Sequence, residues 1–137
     1  MKGFWLPILI FTMLASCATA HSGEYLYFPA LADRVLAGDP QAFREVLSKA
    51  DTTLPGEQLE ELAELSSRYV RLAPVEFLRG QANGSTCFGV AFMGTKYVDN
   101  PEAVARERSL RREALESVSD PGLNGVKQRC LAELAGS

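Results

Sequence analysis

Three cysteines and one histidine are the side chains of this 137-residue sequence best suited to nucleophilic or metal chemistry. The histidine, His21, lies ahead of the segment expected to fold, so a nucleophile in that segment has no histidine base. Cysteine and histidine metal sites lack ligands as well, because Cys87 and Cys130 are expected to be bonded to each other. The sequence GSTCFG around Cys87 does not form a nucleophile elbow, because Ser85 stands where that motif requires its first glycine. We predict no catalytic residue, no metal and no small-molecule cofactor.

Cys87 and Cys130 are the two cysteines that remain once the N-terminal region is set aside. An even pair in an exported chain is typical of a disulfide, and two buried free thiols are the alternative. The bond would close a loop of about 44 residues, which is worth roughly 4 kcal/mol in the chain-entropy model. The sequence therefore predicts a Cys87–Cys130 disulfide in an oxidising compartment.

The first residues have the pattern of an export signal. Lys2 is followed by the uncharged apolar run GFWLPILIFTMLA. The run is shorter than the roughly 20 residues that a membrane-crossing helix needs, and it suits the apolar region of a secretory signal peptide. We therefore expect residues 1–16 to be removed.

Two cleavage sites follow this run. The residues LASC, Leu14 to Cys17, resemble the lipobox of bacterial lipoprotein precursors. That resemblance implies a diacylglyceryl group on the Cys17 thiol, cleavage before Cys17 and a lipidated tether over residues 17–23. Ala18 after the cysteine implies retention at the periplasmic face of the outer membrane rather than at the inner membrane. The alternative is the small-residue site ATA, which ends at Ala20 and would release a soluble periplasmic or secreted chain that begins at His21.

Residues 24–137 are predicted to form one all-α domain, a small bundle or a short stack of helical hairpins with about five to six helices. Asp39–Pro40, Asn100–Pro101 and Asp120–Pro121 are strong helix starts, because each pairs an N-cap residue with proline at the first helical position. A further helix over residues 24–38 is expected to be interrupted at Pro29. Near the C-terminus, a spacing of four residues between apolar side chains places Cys130 on the buried face of the last helix.

A weak internal similarity accompanies these helices. Pro-x-x-Phe occurs at residues 40–43 and 74–77, and the two prolines are 34 residues apart. The architecture this suggests is similar to the helical hairpins of HEAT and tetratricopeptide repeats. Helix starts favour proline in any case, and two copies are fewer than the three that a stable array needs.

The remaining polar side chains define candidate surfaces. Four glutamates, Glu57, Glu60, Glu61 and Glu64, are expected on one solvated helix face. The glycine-rich stretch over residues 80–94 is the first candidate for a partner contact, through Phe88 or Phe92, because loops carry binding more often than helix faces do. The second candidate surface is an arginine cluster, which could equally be a salt-bridged solvent face. Its members are Arg106, Arg108, Arg111 and Arg112.

Charge and composition limit the functions that remain. Without Lys2 the 14 lysines and arginines become 13 against 17 acids, a net charge of −4. Such a balance disfavours nonspecific binding to nucleic acid or to an anionic membrane surface. The leading hypothesis is a noncatalytic, lipid-anchored envelope protein that binds an unidentified envelope protein in the periplasm. An immunity-type inhibitor of a periplasm-acting toxin is the second hypothesis, and an enzyme of envelope polymers is the third.

Overall fold

Six α-helices and two 3₁₀ helices make up a computed structural model that describes residues 24–50 and 53–137. The predicted signal peptide, Cys17 and the tether lie outside the described residues. In chain order the elements are α1 (Pro29–Leu36), α2 (Pro40–Lys49), α3 (Gly56–Leu72), α4 (Pro74–Gln81), the 3₁₀ helix Thr95–Tyr97, α5 (Pro101–Glu116), the 3₁₀ helix Pro121–Leu123 and α6 (Asn124–Ala135). The described ranges contain no strand, and the predicted all-α class is confirmed.

All three predicted helix starts show the predicted capping, although the Asp120 carboxylate, which accepts from the Gly122 N–H at 2.9 Å, caps the 3₁₀ helix Pro121–Leu123, and α6 begins directly after it at Asn124. The Asp39 carboxylate accepts a hydrogen bond from the Gln41 N–H at 2.8 Å, and the Asn100 side chain accepts one from the Ala103 N–H at 3.0 Å. The prediction for Pro29 is wrong, because Pro29 begins α1 instead of interrupting a longer helix. Proline costs no hydrogen bond at the first position of a helix, where its missing N–H would have no partner.

Helix α3 is the centre of the domain and packs against α1, α2, α4 and α5. Three rings join α2, α3 and α4: the Phe43 centroid lies 4.4 Å from that of Tyr69 and 5.4 Å from that of Phe77. Phe43 and Phe77 are the phenylalanines of the two Pro-x-x-Phe motifs, and both are fully buried. The motifs therefore place facing rings in one core, while their relation to repeat proteins stays a prediction.

The predicted disulfide is confirmed. Cys87 and Cys130 are bonded, with their Cα atoms 5.2 Å apart, and both are buried. The bond joins α6 to the irregular segment between α4 and α5. The Cys87 N–H also donates to Glu133 of α6 at 2.8 Å, so both a covalent bond and a hydrogen bond hold this point of the segment.

The same irregular segment is fastened to α3 and α4 just after Cys87. The Phe88 carbonyl accepts hydrogen bonds from Ser66 at 2.6 Å and Gln81 at 2.9 Å, and the Phe88 N–H donates to Gln81 at 3.1 Å. Gly89 follows with φ +80°, and a Cβ there would lie 2.5 Å from the Ser66 Cβ. Only glycine fits this close approach to α3 without displacing backbone.

None of the helices in the two described ranges is long and apolar enough to cross a bilayer.

Candidate partner-binding groove

A buried ion pair fastens the irregular segment to α5. Arg111 is 2% exposed, and its Nε donates to Glu107 at 3.0 Å. Its Nη1 donates to the carbonyl oxygens of Val90 at 2.9 Å and Phe92 at 2.7 Å. Glu107 also accepts a hydrogen bond from Arg71 of α3 at 2.8 Å. The guanidinium of Arg111 therefore connects α5 with residues 90–92, and the Glu107 carboxylate connects α5 with α3.

This arrangement corrects the prediction that four arginines form one partner surface. Arg111 faces the interior and offers almost no contact area, whereas Arg106 and Arg112 are exposed. Arg108 is half-buried and donates to the carbonyl of Ser137 at 2.8 Å. Sequence patterning misassigned Arg111 because arginine is rarely buried, and burial becomes acceptable here only through partners that lie 19 to 21 residues away.

A groove runs along α3, bordered over its whole length by the segment 92–97 and, at the end nearest the start of α3, also by residues 24–27. Two adjoining pockets form it, and they share Glu64 and Gly94. The basic pocket has a volume of about 410 Å³, and the charged side chains that line it are Glu64, Arg68, Arg71, Lys96, Glu107 and Arg111. The acidic pocket, of about 310 Å³, is lined chiefly by Glu24, Glu57, Glu60, Glu61, Glu64 and Phe92. We call the two together the α3 groove.

Close approach of the chain at Gly94 forms the boundary between the pockets. A Cβ at this position would lie 2.8 Å from the Glu64 Oε2 atom. Gly94 is therefore the residue that lets the irregular segment reach the glutamate face of α3 at this point. A larger residue would displace the Glu64 carboxylate from both pockets.

Two positively charged side chains of the basic pocket, Arg71 and Lys96, are not fully compensated by acidic groups of the domain. The side chain of Arg71 is 46% exposed, and among the described residues only its Nη1 has a partner, Glu107. The Lys96 ammonium lies 5.1 Å from the centroid of the Tyr97 ring and forms no ion pair within the described ranges. Two cationic groups are thus available at this end of the groove to a negatively charged ligand.

Arg68 also lines the basic pocket, but its charge is paired within the domain. It donates to the Tyr25 hydroxyl at 2.6 Å and to Glu24 at 3.2 Å. Burial raises the pKa of Tyr25, and the hydrogen bond from Arg68 opposes that shift. Tyr25 is therefore protonated at neutral pH, and Arg68 holds the segment ahead of α1 against α3.

Glu61 is the main departure from the expected solvated glutamate face. Its carboxylate accepts hydrogen bonds from three consecutive backbone N–H groups: Leu26 at 3.0 Å, Tyr27 at 3.1 Å and Phe28 at 2.8 Å. Residues more than 30 positions apart make this contact, so helical periodicity alone could not reveal it. Glu61 fixes one wall of the groove.

Replacement of Glu61 by alanine should lower the free energy of unfolding by about 1–2 kcal/mol, because three N–H groups lose a charged acceptor at a partly exposed site. Urea unfolding followed by circular dichroism measures this change. Glu60, on the same face, has no partner among the described residues, so Glu60→Ala is the matched control and should stay within about 0.5 kcal/mol of wild type. Equal effects of the two substitutions would show that the three hydrogen bonds contribute nothing.

Exposed apolar side chains accompany the groove. Leu26 is 81% exposed and Tyr27 is 44% exposed, and both line the acidic pocket. Leu72 is 49% exposed and lines the basic pocket. Val98, 66% exposed, directly follows the pocket residue Tyr97. These four are the large apolar side chains that are exposed in the described part of the chain. Three of them, Leu26, Tyr27 and Leu72, line the groove, and exposed apolar side chains grouped in this way are typical of binding surfaces.

The two phenylalanines predicted as partner contacts are separated. Phe92 is half-buried and lines the acidic pocket. Phe88 is also half-buried but lines a different depression, of about 430 Å³, between the ends of α2 and α4. Their partial exposure is compatible with a docking role, which stays a prediction for each.

No protein-family model, curated protein or solved structure matches this sequence. The chemistry of the groove is therefore what supports a functional assignment. Within residues 24–50 and 53–137, no three histidine, cysteine or acidic side chains are grouped so that they could hold a metal ion.

Proposed function

We propose that this protein is a noncatalytic, lipid-anchored envelope protein whose α3 groove binds a protein partner in the periplasm. The observation that carries the proposal is that three exposed apolar side chains, Leu26, Tyr27 and Leu72, line one groove. A folded monomer gains nothing by exposing large apolar side chains together, and an aromatic or aliphatic anchor beside a polar rim is the usual composition of a binding site.

The proposed localisation in the periplasm, anchored to a membrane, rests on the sequence LASC at residues 14–17 and on the disulfide. A disulfide persists in the oxidising periplasm and is rare in the cytosol. From Cys17 to Glu24 the chain has seven peptide links, which reach at most about 25 Å when extended. A lipid on Cys17 would hold the start of the domain, and with it the groove wall at residues 24–27, within that distance of the bilayer surface.

Substitution of Cys17 by serine tests the anchor. The variant should lose labelling by palmitate and move from the membrane fraction to the soluble periplasm, because the Cys17 thiol is the proposed site of the lipid. Ala20→Leu, which removes the competing cleavage site, should leave labelling and fractionation as in wild type. A wild-type protein that is soluble and begins at His21 would disprove the anchor.

A photo-cross-linking amino acid tests the groove in living cells. Placed at Leu72 or Leu26, it should give one discrete adduct on ultraviolet exposure, since both side chains line the groove and are exposed. The control position is Gln128, an exposed residue of α6, where no adduct is expected. Adducts at Gln128 as strong as those at Leu72 and Leu26, or none at any position, would contradict binding at the groove.

A further inference from the structure

The exposed charges of the α3 groove that can face a ligand are segregated by sign. Glu57 and Glu60 stand on the first half of α3 and line the acidic pocket. Arg71, in the last turn of α3, and Lys96 line the basic pocket. With a rise of about 1.5 Å per residue, the 14 positions from Glu57 to Arg71 correspond to about 21 Å along the helix axis.

Most other charges near the groove are neutralised within the domain; the exception is Glu64, which lines both pockets and has no ion-pair partner among the described residues. Arg68 is paired with Glu24, Arg111 with Glu107, and Glu61 binds three backbone N–H groups. Among the described residues, Glu60 and Lys96 have no ion-pair partner. A ligand that lies along α3 would therefore meet uncompensated negative charge at one end and uncompensated positive charge at the other.

The dimensions favour an extended chain over a helix as occupant. A segment in extended conformation covers about 21 Å with six or seven residues. The two pockets, of about 310 and 410 Å³, are each in the size range that accommodates small ligands or a few side chains. An α-helix would need about 14 residues to cover the same length, so an extended segment reaches both ends of the groove with about half the chain.

We propose, resting on the function proposed above, that the α3 groove binds an extended peptide segment with a basic end and an acidic end. The basic end lies at Glu57 and Glu60, and the acidic end, or a C-terminal carboxylate, lies at Arg71 and Lys96. Apolar side chains between the two ends contact Leu26, Leu72 and Phe92. Charge complementarity thus fixes the direction of the bound segment, which is how charged rims give specificity.

A library of random ten-residue peptides, selected on the purified full-length lipidated protein in detergent, tests this proposal. Enriched peptides should carry lysine or arginine towards one end and aspartate, glutamate or the free carboxylate towards the other, in a constant order. A synthetic copy of an enriched peptide should bind more tightly than the same composition in reversed order. The difference should shrink as salt is raised, because exposed charges are screened.

Two charge-reversal substitutions test the two ends of the groove separately. Lys96→Glu should weaken the enriched peptide about threefold to tenfold, the range expected when an exposed attraction becomes a repulsion. Selection on this variant should lose the acidic preference and keep the basic one. Glu60→Lys should weaken the peptide to a similar extent, and selection on it should lose the basic preference and keep the acidic one. Arg44→Glu, on an exposed position of α2, and Glu116→Lys, on an exposed position of α5, are matched controls that should leave affinity and preference unchanged.

The outcomes distinguish the two proposals. Enriched peptides that are competed away by groove substitutions but show no charge order would overturn the directional segment and leave partner binding at the groove intact. Peptides insensitive to Lys96→Glu, Glu60→Lys and Leu72→Ser alike, or no enrichment at all, would overturn both proposals.

Discussion

Replacement of Arg111 by methionine is expected to lower the free energy of unfolding by about 3 kcal/mol, a large share of the roughly 5–15 kcal/mol that stabilises a domain. Methionine fills part of the space but cannot donate to the carbonyl groups of Val90 and Phe92. A buried carbonyl without a donor costs about 1–3 kcal/mol. Glu107 would keep Arg71 as a partner, which holds the loss near the lower limit for breaking a buried ion pair.

Arg112→Met provides the control, because Arg112 is the next residue of α5 and is exposed. Its unfolding free energy should lie within about 0.5 kcal/mol of wild type. Denaturant unfolding of both variants gives the comparison. If Arg111→Met were as mild as Arg112→Met, the contacts of Arg111 to residues 90–92 would not stabilise the fold.

Loss of the disulfide should be at least as costly. The double variant Cys87→Ser, Cys130→Ser should lose about 4 kcal/mol, since the bond joins residues 43 positions apart and restricts the unfolded chain accordingly. The effect is measured by urea unfolding, and reduction of the wild-type protein should reproduce it. In the folded wild type, Cys87 and Cys130 should resist alkylation until a reductant breaks the bond between them.

Cys17→Ser serves as the control for cysteine removal as such. It should leave the stability of the domain unchanged, because Cys17 takes no part in the Cys87–Cys130 bond. A double variant with wild-type stability would show that the disulfide is dispensable for the fold.

Local signals in the sequence were sufficient for most of the helical framework. Asp39 and Asn100 were recognisable because capping needs only a polar side chain and the next few residues. The disulfide followed from cysteine number and the expected compartment. Pro29 was misread because proline either breaks a helix or begins one, and only the preceding residues decide which.

The candidate groove depends on contacts that local sequence does not encode. Glu61 looked like its neighbours on the glutamate face, yet its acceptors are satisfied by residues 26–28, far away in the chain. Arg111 and Glu107 have the four-residue spacing of an exposed helix pair, and the same spacing serves equally well inside a core. Tertiary packing decides between these two uses of one pattern, so the sequence alone could identify the residues without placing them.

The contacts of Arg68 and Glu61 determine how this domain would respond to mechanical load. If Cys17 is held in a bilayer, any pull between the membrane and a bound partner first reaches the contacts of Glu24 and Tyr25 with Arg68, and then the three hydrogen bonds of Glu61 to Leu26, Tyr27 and Phe28. Tyr25 is the one buried side chain of residues 24–27, whereas each of the helices behind this segment contributes several side chains to the core. In a force experiment that pulls from the N-terminus, this segment should peel away from α3 before any helix unfolds. Because the same segment is a wall of the groove, tension on the tether would open the groove and release its occupant.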